Sequence, residues 1–374
     1  MEVQETTPGS RSPTLITCAL VYLFLIVYAS CHPFSGWRDS GVSSWAFFAA
    51  GMPKYWTGFD VLTNVLAYIP VGGLGVLLLY PTIRYFFACF LIILLGAALS
   101  ASLEMAQTYL PSRVPSLLDW LTNVAGTALG AVVGALLTGP LLADKRLREL
   151  RQRWLVPEAS LGMAVLLLWP LAQIYPQGYL FGHGQLLPIL SDYLYQWTDV
   201  SFDLAAWLRQ GRELSVQQYW LVETIIVASG FTGVSLSLLC LLRKSAPKTL
   251  LLIMLMSSGL LMKSLACALF FTPENVLVWL TPGAQGGCII GLIMLSGLAY
   301  ARPVAQRRLA GLTLLLSVVL INLIPVNPYF AATLQTWVQG KFLNFNGAAQ
   351  ILSLFWPFLA LWFLWNPAHT PNRK

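Results

Sequence analysis

The chain has 374 residues, of which 57% are hydrophobic and 10% charged, with a net charge of +7 and a mean hydropathy of +0.69. A soluble domain averages about 25% charged residues, so this composition argues against a soluble enzyme and for an all-α, polytopic transmembrane bundle. The surplus positive charge calls for no nucleic-acid partner, because basic residues of membrane proteins gather on cytoplasmic loops.

In chain order, residues 1–13 hold two acids and one Arg. That is not the basic leader of a secretion signal, so the apolar run 14–30 reads as a retained first span. Further runs near bilayer-crossing length fall at 60–80, 85–108, 117–142, 159–174, 220–242, 249–271, 275–300, 309–326 and 351–365. The count is about ten spans. With both termini cytoplasmic, fifteen Lys and Arg residues lie on inner segments and six on outer ones, which obeys the positive-inside rule. The basic run 143–158 reads as a cytoplasmic loop anchored at the lipid surface. It separates a four-span unit, 1–142, from a six-span region, 159–374. Three long outer loops, 32–59, 175–219 and 327–350, are rich in aromatic residues and read as interfacial segments.

Six cysteines are scattered without paired spacing, and three histidines stand far apart. This predicts no disulfide framework, no metal centre and no cofactor. Nucleophile-elbow, zinc-protease, P-loop and dinucleotide fingerprints are absent from the sequence.

Chemistry concentrates in one polar set. The segment from Asp60 to Val65 recurs from Asp119 to Val124 as D-x-L-T-N-V, each time at the start of a span running inward. Asn64 and Asn123 lie about 6 Å deeper than the two acids, at 1.5 Å per residue. Between the repeats, Glu104 and Gln107 sit near the outer end of a span running outward. Spacings of three and four put Asp60 with Asn64, Asp119 with Asn123, and Glu104 with Gln107 on shared helical faces. Acids and amides in hydrocarbon are expensive and are functional candidates by default. Gly126, Gly130 and Gly134, four apart, predict close helix packing, and Ala97 and Ser100 extend the Glu104 face. Arg113, in the short outer loop between, is the natural counter-charge. A second intramembrane charge, Lys263, has Glu223 and Gln285 at similar depth as candidate partners.

Asp60, Asn64, Ile69-Pro70 and Gly72, followed by Glu104-x-x-Gln107, Arg113, Asp119, Asn123, Gly126 and Gly130, resemble the VanZ-like family over roughly 14–142. The family pattern is N-x(5)-P-x-G, then E-x-x-Q, an Arg, and D-x-x-x-N-x-x-G-x-x-x-G. The family's namesake is associated with teicoplanin resistance. The resemblance therefore implies a multi-pass protein of the bacterial cytoplasmic membrane, with membrane lipids and a lipidated glycopeptide or lipid-linked precursor as partners. Whether the chain is an enzyme stays open. The polar set also fits a membrane enzyme with Glu104 as general base, and Lys263 with ten spans fits a lipid or solute transporter.

Overall fold

The structure is a computed structural model that describes residues 13–138, 145–212, 214–270, 275–325 and 343–366. Among these residues there are fourteen α-helices and no strand beyond one isolated bridge between Leu155 and Leu242. Seven helices are long and apolar enough to cross a membrane, and three apolar helices are shorter. The chain is thus an all-helical, multi-pass membrane protein. It forms two compact units, residues 1–150 with 343–348, and residues 151–342 with 349–374. The boundary at 150 falls inside the basic run.

The first unit contains α1 (Pro13–Cys31), the single turn α2 (Ala46–Ala49), α3 (Gly58–Leu79), α4 (Tyr85–Gln107) and α5 (Leu117–Thr138). Local chemistry starts α3. Thr57 accepts from the Asp60 backbone N–H while the Asp60 carboxylate accepts from the Thr57 N–H, a reciprocal capping box. The α5 start is marked by Ser116, whose hydroxyl accepts from the Leu118 N–H.

Small residues then decide the packing. A Cβ on Gly72 would fall under 3 Å from the Thr127 carbonyl, and one on Gly130 under 3 Å from the Ile69 carbonyl. The backbones of α3 and α5 therefore touch, with Val65 meeting Gly126, Ile69 meeting Gly130 and Gly73 meeting Gly134. Contact partners rise together along both helices, so α3 and α5 run parallel. In a bilayer, where no hydrophobic drive joins helices, such close approach is what gains dispersion energy.

The basic α6 (Lys145–Trp154) crosses the boundary between units. The second unit continues through α7 (Ala159–Ala172), α8 (Leu187–Thr198), α9 (Leu204–Leu208), α10 (Val216–Leu239), α11 (Lys248–Phe270), α12 (Pro282–Leu298) and α13 (Pro303–Leu323). The last helix, α14 (Leu343–Trp365), has its first six residues grouped with the first unit. The eighth apolar run, 275–300, becomes helical only from Pro282, because Thr281 caps the helix and Pro282 supplies its first residue. Residues 327–342 of the third aromatic loop lie outside the described residues.

Helix α10 is the centre of the second unit. It is buried without interruption from Ile226 to Leu239, against α12 and α13. Trp169 and Trp356 fill the neighbouring core, and the Trp356 indole donates to the Val165 carbonyl. Arg307 of α13 is buried and donates to the Leu364 and Phe363 carbonyls in the last turn of α14. That satisfies acceptors a helix end leaves open, with a cation on the favourable end of the dipole.

The 175–219 connection holds α8 and α9 and is tied to the end of α13. The Asn322 amide accepts from the Leu186 and Leu187 N–H groups and donates to the Gly184 and Val318 carbonyls. Asn322→Ala is expected to cost about 2 kcal/mol, since several backbone groups lose their partners at once. Limited proteolysis would show faster cleavage within 173–215. An unchanged rate would mean that this amide does not hold the connection.

Candidate functional site

The polar set of the first unit is assembled by α3, α4, α5 and the loop before α5. Glu104 is 3% exposed, and one carboxylate oxygen accepts from the Ser116 N–H at 2.9 Å. This contact ties the end of α4 to the start of α5. Asn64 Nδ2 donates to Asp119 Oδ1 at 2.9 Å, joining α3 to α5. Asn123 Nδ2 donates to Ser100 Oγ at 3.0 Å, joining α5 to α4. Gln107 Nε2 donates to the Ser30 carbonyl of α1 at 3.0 Å.

Asp119 and Arg113 are both close enough to Glu104 to act on it electrostatically, and Asp60 acts likewise on Asp119. The seven residues thus share one neighbourhood. Their roles differ. Asp60 is engaged in capping α3. The Arg113 guanidinium is buried against the end of α1, donating to the Ala29 carbonyl at 2.9 Å and to the His32 carbonyl from two nitrogens. Burial holds the Arg113 pKa below the ordinary guanidinium value, and burial followed by Arg113 holds His32 below the ordinary imidazole value.

Asp60, Asn64 and Asp119 are half-buried, whereas Glu104, Gln107, Arg113 and Asn123 are buried. The arrangement is therefore a rim of two acids and an amide above a buried acid. Carboxylate and amide oxygens predominate, so it suits a hydrogen-bond donor such as a hydroxyl or an amine. It disfavours a phosphate.

Tyr68 belongs to this neighbourhood and has no counterpart in the motif reading. It is 3% exposed, lies beside Ser100 and Glu104, and its hydroxyl forms no well-aligned hydrogen bond. Asn123 Oδ1 is likewise buried without a partner. Such atoms are where an ordered water or a ligand group is needed. The available sequence signal is spacing, because Tyr68 stands four residues after Asn64 and four before Gly72.

In the second unit, Glu223 and Gln285 both lie at the start of α12, and Lys263 bonds to neither of them among the described residues. Glu223 accepts from the Thr281 hydroxyl at 2.5 Å, which places a carboxylate at the start of α12. Gln285 donates to the Leu280 carbonyl. Lys263, 2% exposed, donates to the Tyr175 carbonyl at 3.4 Å. Lys263 instead neighbours a buried group in which His183 touches Gln173 at 2.5 Å and Gln177 at 2.6 Å, with Gln177 also on Ser353. Burial, followed by the Lys263 charge, pushes His183 down to about 3, so its ring is neutral. Ser353 is 170 residues from His183 and only folding brings them together. Among the described residues, no group of three or more His, Cys, Asp and Glu is placed to hold a metal ion.

Fold and site define a multi-pass helical membrane protein whose N-terminal unit carries an acid–amide cluster at one end of a glycine-packed helix pair. Residues 13–138 match the family model described as VanZ/LLP1, and this N-terminal unit is VanZ-like. The C-terminal part has no family match. No curated protein and no solved structure matches the chain.

Proposed function

We propose that the chain is a ten-span protein of the bacterial cytoplasmic membrane with both termini inside, and that its VanZ-like unit engages an envelope amphiphile at the outer leaflet. In this reading Asp60, Asn64 and Asp119 form the rim that meets the head, and Glu104 backs them from below. The ligand is a lipid or a lipidated glycopeptide, and its capture lowers sensitivity to teicoplanin. The observation that carries the reading is the Asn64–Asp119 bond beside buried Glu104. One Glu104 oxygen is spent on Ser116, and the other accepts no hydrogen bond among the described residues. A carboxylate kept in hydrocarbon with an unused acceptor marks a place for a donor from outside.

The test expresses wild type and Glu104→Ala at matched membrane abundance in a Gram-positive host and measures susceptibility to teicoplanin beside vancomycin. The expected result is several-fold protection against teicoplanin alone, lost in Glu104→Ala. Abundant wild type without protection would overturn the resistance role. A change in the mass of extracted lipids that needs Glu104 would then favour the enzyme reading.

A further inference from the structure

Toward α5 the glycines of α3 meet backbone, whereas toward α4 Gly75 meets only the Ile92 side chain. Between α1, α3 and α4 lies a crevice of about 270 Å³, bounded by Ala19, Tyr22, Val71, Gly75, Ile92 and Leu99 among others. Tyr22 brings the lining its one hydroxyl, and that is already committed to the Ala67 carbonyl at 2.8 Å. The crevice therefore offers shape and dispersion contact but no hydrogen bond. A polar solute gains nothing there, whereas a flexible hydrocarbon chain does.

The crevice and the polar set share helices α3 and α4, with one packed cluster between them. Tyr22, Val71 and Leu99, at its end nearer that set, pack on the cluster containing Ala67, Tyr68 and Leu103. Tyr68 in turn lies beside Ser100 and Glu104. Along α3 the crevice starts about 10 Å below Asn64, at Val71, and ends about 20 Å below it, at Leu78. Half of a bilayer's hydrocarbon is about 15 Å thick.

We propose, resting on the amphiphile reading above, that this crevice seats the hydrocarbon chain of the same molecule whose head meets Asp60, Asn64 and Asp119. The ligand class is a single long chain, reaching past the bilayer midplane, on a hydroxyl- or amine-rich head without phosphate. The three acids at positions 60, 104 and 119 set the head, because their oxygens accept from hydroxyl and amine donors, which a phosphate does not offer. The depth of the crevice sets the chain, because a short tail reaches only its mouth. Bulk lipid tails compete for any groove, since the surrounding solvent is itself hydrocarbon. Selectivity comes from joining head and tail, because a tethered second contact sees a high effective concentration.

The test uses the full chain in nanodiscs and alkyl glucosides carrying a diazirine on the last chain carbon, one with a chain of about 20 Å and one of about 10 Å, chosen from the depths above. After photolysis, cross-linked positions are mapped by mass spectrometry. The long probe should label α3 and α4 near Leu78 and Ile92, with the short probe at least tenfold weaker there. Ala19→Trp, which fills the crevice from α1, and Asp119→Leu, which removes the rim acid, should each cut that labelling about tenfold. Leu99→Trp fills the crevice from α4 and replaces Ala19→Trp if that variant fails to assemble. Labelling that survives the crevice-filling change overturns the inference. Labelling lost with Ala19→Trp but indifferent to Asp119→Leu and to chain length means ordinary annular lipid, and also overturns it. If Asp119→Leu removes teicoplanin protection while both crevice variants keep it, the head site stands and the crevice has no part in it.

Discussion

Gly130→Ala should separate α5 from α3 and destabilise the first unit by about 3 kcal/mol, the upper part of the range for overpacking. The added methyl would meet the Ile69 carbonyl carbon and oxygen, together with its Cα, all under 3 Å away. These are backbone atoms of a helix, so no rotamer change relieves the clash. The helices must move apart, and the neighbouring contacts at Gly72, Gly126 and Gly134 loosen with them. Because Asn64 and Asp119 sit on the same helix pair, their bond should lengthen as well. Gly297→Ala, at a position with nothing within 4 Å, is the control. It should leave the melting point unchanged or slightly higher, because alanine favours helix over glycine. Thermal unfolding of the detergent-solubilised protein, followed by size-exclusion recovery, reads both. Equal melting of Gly130→Ala and wild type would mean that the two helices are not in backbone contact.

Arg113→Ala should be of similar size, about 3 kcal/mol, by a different mechanism. The guanidinium forks onto two carbonyls at the end of α1, and bonds to a charged donor are worth about 1.5–3 kcal/mol each. Alanine leaves the Ala29 and His32 oxygens without this donor at a buried helix end. Arg113→Lys keeps the charge but not the planar fork, so it should recover part of the loss. The same changes should weaken the Gln107 bond to Ser30, since it lies on the same turn of α1. Protease sensitivity of the segment after Cys31 would report release of that end. If the alanine and lysine variants both behave as wild type, the guanidinium does not hold α1.

The repeated sextet shows how far local sequence reaches. Thr63 and Thr122 occupy the same place in the two copies and do the same thing, each bonding back to carbonyls three and four residues earlier. That interaction lies within one turn, so identical sequence produces identical geometry. The acids and amides of the copies diverge. Asp60 caps its own helix while Asp119 accepts from Asn64, and Asn123 turns to Ser100. The copies are 59 residues apart in sequence, yet α3 and α5 touch in a register of 61, as in Val65 with Gly126 and Ile69 with Gly130. The two copies therefore face different neighbours.

Sequence by itself determined the helical class and the membrane setting, while local caps fixed helix starts that run length alone misplaced, by seven residues at Pro282. The class and setting follow from the lengths of apolar runs, and the caps are Thr57 with Asp60, Ser215 with Gln218, and Thr281 before Pro282. It also marked the glycines and the acid–amide residues, because four-residue spacing specifies a helix face before any partner is known. Tertiary structure alone decided the partners. Depth pairs Lys263 with Glu223 and Gln285, but the fold bonds it to the Tyr175 carbonyl and sets it beside His183. Charge sets Arg113 beside Glu104, and the fold adds bonds from its guanidinium to the Ala29 and His32 carbonyls at the end of α1. Tyr68, His183 and Ser353 carry no sequence signal stronger than a spacing. The physical reason is the range of the interactions. Caps and periodicities act within a few residues, whereas a hydrogen bond across helices depends on which faces meet and in what register, which is set by packing along the whole helix.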